Sequence, residues 1–75
     1  MDEATAQRVR EVIASLGLLT PSGELRALVD SLEIVNLYVA LEGGLGISIP
    51  PEEVTPPNFA SVASLVALVG RLSAS

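Results

Sequence analysis

The chain predicts an all-α fold: a small four-helix bundle whose third helix is short and whose first two helices are joined by a long loop. Three segments carry apolar residues at three- and four-residue spacing, Gly and Pro separate them, and 49 % apolar against 17 % charged content supplies a core. The 75 residues make a single domain, 1–75. A chain this short buries only about 60–65 % of its unfolded surface, too little for a large enclosed active site.

Val9, Val12, Ile13 and Leu16 fall on one helical face, with Glu3, Arg8 and Glu11 among the polar positions. They predict helix I over Glu3 to Leu16, with Gly17 as its stop. Thr20-Pro21-Ser22-Gly23 is a turn signal inside the connection that follows, while Leu18, Leu19, Leu25 and Leu28 are set to tuck under the bundle. Asp30 and Glu33 have the spacing of a capping box, so Ser31 opens helix II, which is expected to run to Glu42 and end at Gly43-Gly44. On a helical wheel Ile34, Leu37, Tyr38 and Leu41 form its core face. Leu32 and Val39 then fall on the surface, with Val35 and Glu42 on a flank.

Gly46 to Pro51 alternates like a strand, but Gly and Pro bound it so tightly that an extended loop anchored by Ile47 and Ile49 is expected. Thr55-Pro56 starts a one-turn helix III, since proline suits the first helical position. Ser61 caps the last helix, where Val62, Leu65, Val66, Val69 and Leu72 repeat at helical spacing.

Several functions are excluded by what the chain lacks. Nine acidic side chains against four arginines and no lysine give a net charge of −5, which repels nucleic acid and anionic lipid. No cysteine is present to form a disulfide, a thiolate nucleophile or a zinc site, and no metal centre is expected. Without histidine there is no Ser–His pair, so the chain is not expected to be an enzyme. The N-terminus has no secretory pattern and no apolar run reaches membrane-spanning length, so the expected location is the cytoplasm.

Ser31 is where chemistry remains. A hydroxyl in the first turn of a helix is exposed, and a phosphodiester on it sits beside N–H groups lacking helical partners, at the positive end of the dipole. An ordinary cap serine, worth about 1 kcal/mol, has the same local pattern. The wider context favours the first reading. Asp30-Ser31-Leu32 after a long helix and loop, then Leu41-Glu42-Gly43-Gly44-Leu45-Gly46-Ile47-Ser48-Ile49-Pro50, a short helix and a closing helix, together resemble the acyl carrier protein family over nearly the whole chain.

The resemblance implies that a phosphopantetheinyl transferase attaches 4′-phosphopantetheine to Ser31, and that the thiol of this arm holds acyl cargo as a thioester. Asp30 then belongs to the attachment motif as well as capping the helix. Leu32, Glu33, Val39 and Glu42 are the implied docking residues for acyl-loading, condensing or tailoring enzymes. With no Cys in the chain, no other thiol competes for cargo. Gly43-Gly44 and Pro56-Pro57 suggest a movable third helix and a gap beside helix II that admits an acyl chain.

Some positions depart from the family pattern. Asn36 and Gly43 stand where acids are frequent, Leu45 where phenylalanine is, and Val29 where glycine often precedes the Asp. These shift the expected basis of partner choice towards Leu32 and Val39. The expected function is a monomeric, stand-alone acyl carrier protein of fatty-acid, polyketide or mixed biosynthesis. The alternatives are a peptidyl or aminoacyl carrier of the same fold, and a small helical interaction module with no prosthetic group.

Overall fold

The computed structural model describes residues 3–26 and 30–74, so Leu28 and Val29 lie outside the described residues. The fold is all-α, with α1 over Glu3–Ser15, α2 over Ser31–Leu45 and α3 over Val62–Ala74. α1 is the central element. It packs against both α2 and α3, whereas no described Cα of α2 comes within 8 Å of one in α3. Val9 and Ile13 of α1, Leu37 and Leu41 of α2, and Leu65 and Leu68 of α3 are fully buried in one cluster, joined from the connections by Leu18, Ile49 and Phe59. None of the described helices is long and apolar enough to cross a membrane.

The end of α1 explains a difference from the expected core. Leu18 N donates to Ile13 O and Gly17 N to Ala14 O, with Gly17 at φ 73°, which is the paired-bond C-terminal motif that a left-handed glycine permits. The turn carries Leu16 outward, to 38 % exposure, and brings Leu18 into the core instead. Beyond it, Leu19 and Leu25 pair across a single antiparallel bridge that closes the Thr20 to Glu24 turn.

α2 outlasts its expected end by three residues. Gly43-Gly44 continues the helix, and Gly46, at φ 66°, closes it by donating to Glu42 O. A Cβ on Gly44 would stand 3.0 Å from Val12 Cγ2, so the absent side chain lets α2 lie close against α1. Arg8 donates to Gly44 O at 3.1 Å across the same crossing.

The third helix proves to be a single turn. Asn58 N and Phe59 N bond back to Thr55 O, and Phe59 N also reaches Pro56 O, but among the described residues no backbone bond from Ala60 or Ser61 carries the ladder further. A separate 3-10 turn over Pro51–Glu53 precedes it. Asn58 Nδ2 donates to Glu53 O and Oε1, and Arg71 of α3 holds both Asn58 Oδ1 and the Glu53 carboxylate, which ties this connection to the last helix. Ser61 Oγ accepts from Ser64 N at 3.1 Å, the cap expected for α3.

Candidate functional site

Asp30 has extended backbone (φ −145°, ψ 166°), and its Oδ1 accepts from Glu33 N at 2.9 Å. This is the N-cap arrangement that a short carboxylate side chain forms most readily. It makes Ser31 the first residue of α2, exposed to solvent. The donor set fits a phosphodiester on Ser31 Oγ. The amides of the first turn have no partners within the helix, Asp30 occupies only that of Glu33, and the helix dipole adds positive potential there.

Around Ser31 the expected docking residues divide into two groups. Leu32 and Val39 are 67 % and 58 % exposed, and Val35, expected on the flank, joins them at 50 %. Measured from Ser31 at about 100° per residue, Val35 falls near 40°, Val39 near 80° and Leu32 near 100°, so they share one side of the helix with the hydroxyl. The two glutamates are turned to internal uses. Glu33 Oε2 takes the Arg26 guanidinium at 2.6 Å, and Glu42 Oε2 accepts from Ile49 N at 2.8 Å while its carbonyl receives Gly46 N and Ile47 N.

Arg26 and Val35 are the site residues that the sequence pattern did not single out. Arg26 lies in the loop seven positions before Glu33, and no periodic spacing links the two. Its N–H also bonds Leu18 O at 2.7 Å, which joins this end of the loop to the end of α1.

The expected gap beside α2 corresponds to a cavity of about 370 Å³ between Ile34 and the segment carrying Val54, Thr55, Pro56 and Phe59, with Arg26 at its margin. Ile34 is one turn from Ser31 along the same helix. A larger cavity of about 600 Å³, between α1 and the start of α3, contains none of the residues expected to act. Among the described residues no cluster of side chains suits a metal ion.

No family model and no solved structure matches the chain. A curated protein of Serratia sp. (strain ATCC 39006), named "Probable acyl carrier protein PigG", is 47 % identical over 55 residues, which is 73 % of this chain. The match spans 62 % of that protein's own length. With a helical fold and a serine opening the second helix, the chain is similar to that probable acyl carrier protein.

Proposed function

We propose that the chain is a non-catalytic acyl carrier, modified on Ser31 Oγ with 4′-phosphopantetheine by a separate transferase. The observation that carries this reading is the exposed Ser31 at the first position of α2, held there by the Asp30 cap. In the attachment step the Oγ–P bond forms as the pyrophosphate bond of coenzyme A breaks. The nucleotide half leaves, and the serine proton passes to a base on the transferase. Once bound, the arm supplies a terminal thiol on which acyl groups are held as thioesters.

The chain's own residues position and present. Asp30 fixes the start of α2, the first-turn amides receive the phosphodiester, and Leu32 and Val39 offer contact to visiting enzymes. Those partners are acyl-loading, condensing or tailoring enzymes of fatty-acid, polyketide or mixed biosynthesis, met in the cytoplasm by a monomeric carrier. A flexible tether raises the effective concentration of cargo at each of them without tight binding. The cavity between Ile34 and Phe59 is a retreat for short cargo.

Incubation with coenzyme A and a broad-specificity phosphopantetheinyl transferase, followed by intact-mass measurement, tests the reading. One phosphopantetheine adduct is expected, and Ser31→Ala should abolish it. An unmodified wild-type chain with several competent transferases would leave a helical interaction module in its place.

A further inference from the structure

We infer that the transferase acting on Ser31 grips α2 through an apolar surface of its own, and that ion pairing contributes little to the contact. The inference rests on Ser31 being the modified residue. An enzyme whose active site reaches the Ser31 hydroxyl must cover the helix face around it, and that face continues into Val35, Val39 and Leu32, each at least half exposed. Val35, one turn along, is its centre. The bordering positions Asn36 and Gly43 are uncharged and exposed.

The carboxylates of this segment point to the same conclusion. All three between Asp30 and Leu45 hold donors of this chain: Asp30 the amide of Glu33, Glu33 the guanidinium of Arg26, and Glu42 the amide of Ile49. Turning Glu42 outward to a basic partner would strip a part-buried amide of its acceptor. Turning Glu33 outward would exchange one arginine for another. The apolar stripe has no such prior commitment, so covering it gives a net gain.

Steady-state kinetics of Ser31 modification, with coenzyme A saturating and this chain varied, separate the two kinds of contact. Ion pairing would make KM for the chain climb steeply with salt, because exposed charges are screened beyond a few ångströms at high ionic strength. The expected KM changes by less than about twofold between about 0.05 M and about 0.5 M NaCl. A Val35→Ala/Val39→Ala double variant, altered only at exposed positions, is expected to raise KM about tenfold with kcat retained. A KM that rises tenfold with salt, with the double variant indistinguishable from the parent, would overturn the inference. Complete absence of a Ser31 adduct is a separate result, which removes the carrier reading and this inference with it.

Discussion

Neighbouring residues at the start of α2 do different work, and substitution separates them. The Asp30 carboxylate satisfies a helix amide, whereas Ser31 is exposed and no described side chain bonds its hydroxyl. Asp30→Ala should therefore lower stability by about 1 kcal/mol. Ser31→Ala should change it by less than about 0.5 kcal/mol. Thermal unfolding followed by circular dichroism checks both, and equal losses would mean that Ser31 is itself a structural cap. Both residues were legible in the sequence because capping is local, set within four positions of the chain. The partners of Glu33 and Glu42 were not. Arg26 reaches Glu33 across the loop-to-helix junction, and the Ile49 amide reaches Glu42 only after the chain reverses at Gly46, so both contacts depend on the finished fold.

Among the elements, the sequence pattern located α1 and the start of α3 to within about a residue, since each alternates apolar and small or polar positions at helical spacing. It ended α2 early because paired glycines usually break a helix. Here the crossing with α1 outweighs that tendency, and the two glycines differ in consequence. Nothing lies within 4 Å of a Cβ built on Gly43, while one built on Gly44 meets Val12. Gly43→Ala should stabilise the protein by about 0.5–1 kcal/mol, the usual gain for alanine inside a helix. Gly44→Ala should forfeit that gain, leaving stability at or below the parent's. Urea titrations compare them directly, and equal gains would show that Val12 yields without cost. The one-turn helix III expected from Thr55-Pro56 stands as a hydrogen-bonded turn, so the described residues form three α-helices and not four.

For the molecule as a whole, α1 is the shared support, since it approaches both α2 and α3 while no described Cα of α2 comes within 8 Å of one in α3. Ile13→Ala removes a fully buried side chain from that support and should cost about 3 kcal/mol. Helix content by circular dichroism and the fluorescence of Tyr38, the chain's only tyrosine, should fall in one coincident urea transition. Loss of the Tyr38 signal ahead of helix content would mean that α2 detaches by itself. The same arrangement separates two kinds of evolutionary pressure. Leu37, Leu41 and Gly44 turn towards the supporting helix and answer to folding, while Ser31, Val35 and Val39 turn to solvent. If the proposed carrier role holds, lineages of this chain can drift along the outward side of α2 and acquire new clients while the scaffold stays intact, and a designer can retarget it by rewriting one side of one helix.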